Sequence, residues 1–146
     1  MFAPSRTVSI AIAGIALAFA PGAQASPPSA SEAPLSATLQ CDRAASPGRV
    51  KCSIEAHASG DRTLAWADVV LVELPPFSSA LKGRIGPADA TGRNAASERW
   101  AFGLVAKRAG EGDATARVRA VVCTGEAPTA VCMPVEIEVR AVVHVG

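Results

Sequence analysis

Residues 135–145 read Val-Glu-Ile-Glu-Val-Arg-Ala-Val-Val-His-Val, and their alternation decides the fold. Val135, Ile137, Val139, Ala141, Val143 and Val145 fall on one side of an extended chain. Glu136, Glu138, Arg140, Val142 and His144 fall on the other. A period of two over this length is the signature of a strand with one face on a core and one in water. Working back towards the amino terminus, Ala114, Ala116, Val118, Ala120 and Val122 repeat the pattern, with Thr115, Arg117 and Arg119 outside. Trp100, Phe102, Leu104 and Ala106 precede them across the turn Ala109-Gly110-Glu111-Gly112.

The first half of the chain carries the same signal. Leu35, Ala37, Leu39 and Cys41 share a face, and Val50, Cys52, Ile54, Ala56 and Ala58 continue it after the turn at Ser46-Pro47-Gly48. Thr63 to Leu74 is apolar but changes phase. Leu64 and Trp66 agree and Asp68 then lands on their side, so a bulge is expected near Ala67-Asp68. Pro75-Pro76 stops that strand. Phe77–Ala96 has no sustained period and reads as a long connection with one short strand near Leu81–Ile85; connections of this length often serve function. No segment after residue 34 carries a helical period. The expected fold is all-β: an antiparallel, immunoglobulin-like β-sandwich of about seven strands spanning 35–146.

Residues 1–25 differ in kind. Arg6 is followed by an apolar run from Val8 to Ala20, a helix-breaking Pro21-Gly22 and Ala23-Gln24-Ala25. This is the layout of a secretory signal peptide cleaved after Ala25. Thirteen apolar residues fall short of the ~20 that span a bilayer as a helix. Ser26–Pro34, rich in Pro, Ser and Ala, reads as a flexible leader. The expected location is therefore periplasmic or extracellular, with no membrane span in the mature chain.

Composition narrows the function classes. Without Arg6 the basic and acidic residues balance at 13 each. No basic stripe is present, so nucleic acid is not an expected partner. Rings are few, and no tyrosine occurs. His57 and His144 each stand outward on a strand with no second ligand at metal spacing, and they read as surface residues. Cys132-Met133 lacks the two histidines a blue-copper centre needs. Glu136 and Glu138 read as a cross-strand charge ladder with Arg117 and Arg119 rather than as catalytic acids. There is no phosphate loop or nucleophile elbow. No cofactor and no metal is expected.

The four cysteines are the one chemical feature. In an exported domain they read as two disulfides, with three possible pairings. Local pairing joins Cys41 to Cys52, both on the core phase, and Cys123 to Cys132, both on the phase of the outward arginines and glutamates around the loop Thr124–Val131. The alternative joins Cys52 to Cys123 and Cys41 to Cys132. Cys52, Trp66 and Cys123 resemble the Cys…Trp…Cys spacing of immunoglobulin domains, although the position two before Cys123 is Val121 and not the tyrosine of that family. Strand phase favours the local pairing.

Residues 117–139, RVRAVVCTGEAPTAVCMPVEIEV, resemble the end of the amino-terminal periplasmic β-sandwich domain of the transmembrane thiol:disulfide reductases of the DsbD group. There a valine-rich strand runs into a cysteine, a short loop, a second cysteine, one further residue and a proline, then a final strand. Here those positions are Cys123, Cys132, Met133 and Pro134. The resemblance implies a pair that exchanges electrons with periplasmic proteins. Two functions follow as expectations. One is a non-enzymatic binding or interaction module with a protein partner, using the Phe77–Ala96 connection and the Thr124–Val131 loop. The other is thiol–disulfide exchange at Cys123 and Cys132.

Overall fold

A computed structural model describes residues 32–146. The signal peptide read from residues 1–25 and most of the leader lie outside the described residues. The first strand, β1, begins at Leu35, where the alternation begins (Leu35–Cys41). Then follow β2 (Gly48–Ala58), β3 (Thr63–Glu73), β4 (Ser78–Ala80), β5 (Arg84–Ile85), β6 (Ala90–Arg93), β7 (Ser97–Ala106), β8 (Gly110–Thr124) and β9 (Val131–Val145). The one helical element among the described residues is a 3-10 turn at Pro87–Asp89.

The strands form two antiparallel sheets. Sheet A has the order β1-β2-β7-β4, with β6 also paired to β7; sheet B has the order β5-β3-β8-β9. This is the ABED and CFG arrangement of an immunoglobulin sandwich, with β5 added beside its third strand. The strands number nine rather than about seven because the Phe77–Ala96 connection is itself folded. It lays β4 against Val105, β5 against Val69 and β6 against Arg99, crossing between the sheets at each step. It is a lacing for both sheet edges, with its backbone bound to each.

The inward residues expected from the period-two pattern make the core. Leu35, Val50, Ile54, Trp100 and Leu104 from sheet A meet Val69, Val118, Val122 and Val143 from sheet B, each at most 2% exposed. A chain with few rings buries Trp100 completely and hydrogen-bonds its Nε1–H to the Gly86 carbonyl at 3.1 Å. Phe77, from the supposed loop, plugs one end of the core. Gly110 and Gly112 on β8 leave the room it needs: a Cβ on Gly110 would lie 2.8 Å from the Phe77 ring.

The phase change in β3 is real but sits earlier than expected. Leu64 pairs with Val122 and Trp66 with Val121, so the extra residue is Ala65 and not Ala67 or Asp68. A second shift falls between Leu71 and Glu73. The consequence is large. Ala67 and Val69 enter the core, while Trp66 and Asp68 turn to the outer face of sheet B.

Candidate functional site

The outer face of sheet B is built in rows, because directly opposed residues of antiparallel strands share a face. The first row is Thr63, Cys123 and Cys132, from β3, β8 and β9. Next comes Trp66, Val121 and Pro134, then Asp68, Arg119 and Glu136, then Val70, Arg117 and Glu138. Rows on one face are separated by two residues, about 7 Å along the strand. A disulfide, an apolar row with an indole, and an ion network therefore lie side by side.

The cysteines pair locally: Cys41 with Cys52 and Cys123 with Cys132. The crossed pairing is overturned by register: each cysteine stands directly opposite its bridge partner on the neighbouring strand, and Cys123 faces the outside of sheet B, away from Cys52 in the core. Trp66 is accordingly not the buried tryptophan of the immunoglobulin pattern; Trp100 on β7 takes the core position. The two bridges differ in setting. Cys52 is 1% exposed and part of the core. Cys123 and Cys132 lie on the outward phase, as expected, but Cys123 sits on an inner strand and is buried, while Cys132 on the outer strand is exposed. Thr124 and Val131 form the last rung of the hairpin, so the loop beyond the bridge is Gly125–Ala130 rather than Thr124–Val131.

Asp68 anchors the next part of the face. Its side chain is 0% exposed. Arg119 Nε donates to Oδ1 at 2.8 Å and its Nη2 to Oδ2; Arg84 Nε donates to Oδ2 at 2.7 Å. Burial pushes this carboxyl up, but the hydrogen bonds from Arg119 and Arg84 and their positive charge outweigh it, and the pKa lies below the ordinary aspartate value. The same contact raises Arg119. Both guanidinium groups are thus tied to one carboxylate in the row next to Trp66. A shallow cleft of about 370 Å³ lies there, lined by Trp66, Arg84, Arg119, Val121, Pro134 and Glu136 among others.

The charge ladder is rearranged relative to expectation. Arg117 Nε lies 3.3 Å from Glu136, and its Nη2 lies 3.9 Å from Glu138, whereas Arg119 is taken by Asp68. Sequence reading assigned Asp68 no role, although an acid interrupting an apolar strand was the available signal. His57 is exposed on sheet A and His144 Nδ1 lies 2.9 Å from Glu111 Oε2 on sheet B; neither joins the cysteines. No helix among the described residues is long and apolar enough to cross a membrane.

No protein-family model matches the sequence, and no curated protein sequence matches it. Among solved structures the chain is similar to BslA, a bacterial hydrophobin, at 10% identity and a TM-score of 0.39, over 78% of this chain and 96% of that one.

Proposed function

We propose that this chain is an exported, non-enzymatic interaction module whose partner-binding surface is the outer face of sheet B. The observation that carries the reading is the row Trp66–Val121–Pro134, flanked by Arg84 and Arg119. Tryptophan and arginine are the residues that dominate protein interfaces; here the buried Asp68 holds both arginines and the bulge at Ala65 turns the indole to the same face. Two local disulfides and the signal-like amino terminus support an oxidising, periplasmic or extracellular setting. In that setting the mature protein begins at Ser26, which an intact mass of the exported protein tests. The surface is tested by placing a photo-crosslinking residue at Val121 or, as a control on the outer face of sheet A, at Lys51. A discrete adduct with another protein from position 121 alone supports the reading; none at 121, or equal adducts at both, removes it.

A second reading is thiol–disulfide exchange at Cys123–Cys132. It is favoured by the exposure of Cys132, where an attacking thiolate has access, and by the likeness of residues 117–139 to the DsbD-group domain. Under this reading a partner thiolate attacks one sulfur, a mixed disulfide forms, and the other cysteine leaves as a thiolate. Reduction at a glutathione-like potential followed by alkylation then labels Cys123 and Cys132 and spares Cys41 and Cys52. Resistance of all four makes both bridges structural.

A further inference from the structure

The outer face of sheet A carries a groove far from the Trp66 row, and the register says how it is built. Arg49 stands opposite Val105, and Val105 opposite Ser79; Lys51 stands opposite Gly103. Leu81, one residue beyond β4, continues the second row by donating its N–H to the Gly103 carbonyl at 3.2 Å. The centre of the row Lys51–Gly103–Leu81 therefore has no side chain. The bare floor is narrow. A Cβ on Gly103 would lie 2.9 Å from Leu81 Cδ1 towards β4 and 4.0 Å from Arg49 Cγ towards β2. A cleft of about 310 Å³ opens over it, lined by Arg49, Lys51, Leu81, Ala101, Phe102 and Gly103. Leu81 is left 54% exposed there, apolar as it is.

The cations of the groove are not used up within the protein. The ion pairs beside it, Arg99 with Glu55 and Lys82 with Asp89, are complete in themselves. Neither Arg49 nor Lys51 forms an ion pair among the described residues. One acid comes near them. Asp42 donates its N–H to the Lys51 carbonyl at 2.8 Å and shares the neighbouring cleft with Lys51, and it too makes no ion pair. Two positive charges against one negative leave an excess of one. Long basic side chains lay their methylenes along apolar surface and keep the charge at its rim. The groove is thus an apolar slot with one uncompensated positive charge at its edge.

We propose that this groove binds the monoanion of an unbranched aliphatic acid as a free molecule. The carboxylate sits between Arg49 and Lys51, and the alkyl chain crosses the Gly103 floor against Leu81. Charge selects a monoanion. The lining selects an alkyl chain: apart from the two cations it offers no hydrogen-bonding side chain, so a sugar or a peptide would leave its polar groups unmatched. The volume lies at the small end of ligand sites, which suits one short chain. The site is on the other sheet from the proposed protein-binding face, and its occupant is too small to give a protein adduct at Lys51, so the failure of either reading leaves the other standing.

Amide chemical shifts of the isotope-labelled exported protein, titrated with octanoate below its micelle-forming range, test this. Saturable shifts centred on Arg49, Lys51, Leu81, Ala101 and Gly103 are expected. A groove covers a chain on one side, so affinity rises about twofold per methylene from butanoate to octanoate, roughly the square root of the factor for full burial. Arg49→Gln and Lys51→Gln each weaken octanoate by about two- to fivefold and leave the binding of uncharged 1-octanol unchanged. Gly103→Ala puts a methyl group on the floor, where only the tip of Leu81 has to move, so the circular dichroism is kept and octanoate binding is lost. Shifts that never saturate, that centre on the Trp66 cleft, or that are indifferent to the three substitutions overturn the proposal. So does binding seen only with vesicles of anionic lipid, which assigns the same cations to a membrane surface.

Discussion

Arg119 on β8 stands opposite Asp68 on β3 and binds both oxygens of its carboxylate, while Arg84 reaches the same group from β5. Three strands of sheet B are tied through one buried acid. The pKa of Asp68 is lowered in the folded protein, so the unfolded chain binds the proton more readily as pH falls. Its contribution is complete above the unfolded value, near 3.8, and is lost as pH falls through the folded value. The expected outcome is a stability that is flat with respect to this group near neutrality and declines in acid. In Asp68→Asn that part of the acid decline disappears. The variant is less stable at pH 7 by about 2 kcal/mol, a buried charge-assisted hydrogen-bonding group having been replaced. The loss is smaller than for a fully buried pair because both arginines reach water and can be solvated when released. Urea titrations at several pH values measure both effects.

Gly110 and Phe77 are a second coupled pair. With the Phe77 ring 2.8 Å from where a Cβ would be, Gly110→Ala overpacks that end of the core. The expected cost is about 1–3 kcal/mol. Phe77→Leu leaves a void when made alone but makes room for the alanine, so the double variant is more stable than the sum of the two single losses. A thermal-denaturation double-mutant cycle reads the coupling directly.

Trp100 is fully buried and Trp66 half-buried, which separates the two indoles spectroscopically. Trp100→Phe removes the indole's bond to the Gly86 carbonyl, which keeps its bond from Asp89 N, and shrinks a fully buried side chain; it is expected to lower stability by about 1–3 kcal/mol. Its remaining emission comes from Trp66, red-shifted and readily quenched by iodide. Trp66→Phe gives the reverse: a blue, protected emission with stability little changed. If both single-tryptophan proteins quench alike, Trp66 is not on the open face.

Most of the sandwich was legible because its strands are half-buried, so polarity alternates with the pleat. That holds for β1, β2, β7, β8 and β9. It failed where polarity and burial part company. Asp68 is charged and fully buried, yet it faces outward, hidden by arginines rather than by the core; read as an intruder on the inner face, it drew the bulge to itself and away from Ala65. Phe77, Ser78–Ala80 and Ala90–Arg93 were missed because each makes only a few rungs, too few for a period to show. The pairing of the cysteines followed from phase. The row that places Cys123–Cys132 beside Trp66 did not, since it depends on a register that only the Ala65 bulge sets.

The two disulfides close loops of similar length, with sequence separations of 11 and 9. Chain entropy alone therefore assigns them nearly equal worth, about 2.7 kcal/mol each. Their surroundings do not. Replacing Cys41 and Cys52 by alanine removes sulfur from the core as well, since Cys52 packs with the buried cluster, so a cavity cost adds to the entropic one. Replacing Cys123 and Cys132 removes a bridge beside the hairpin loop; Cys123 is buried there, but on the outer face of sheet B and outside the core cluster, so the cavity cost is smaller. The first double variant is expected to be the less stable of the two. In the second, extra hydrogen exchange is confined to amides near Thr124 and Val131, with the core strands still protected. Chemical denaturation and exchange measured on both variants decide this. Equal losses, or exchange that spreads through β8 and β9 when Cys123–Cys132 is removed, would mean that the outer bridge supports the whole sheet and is not free to open for chemistry.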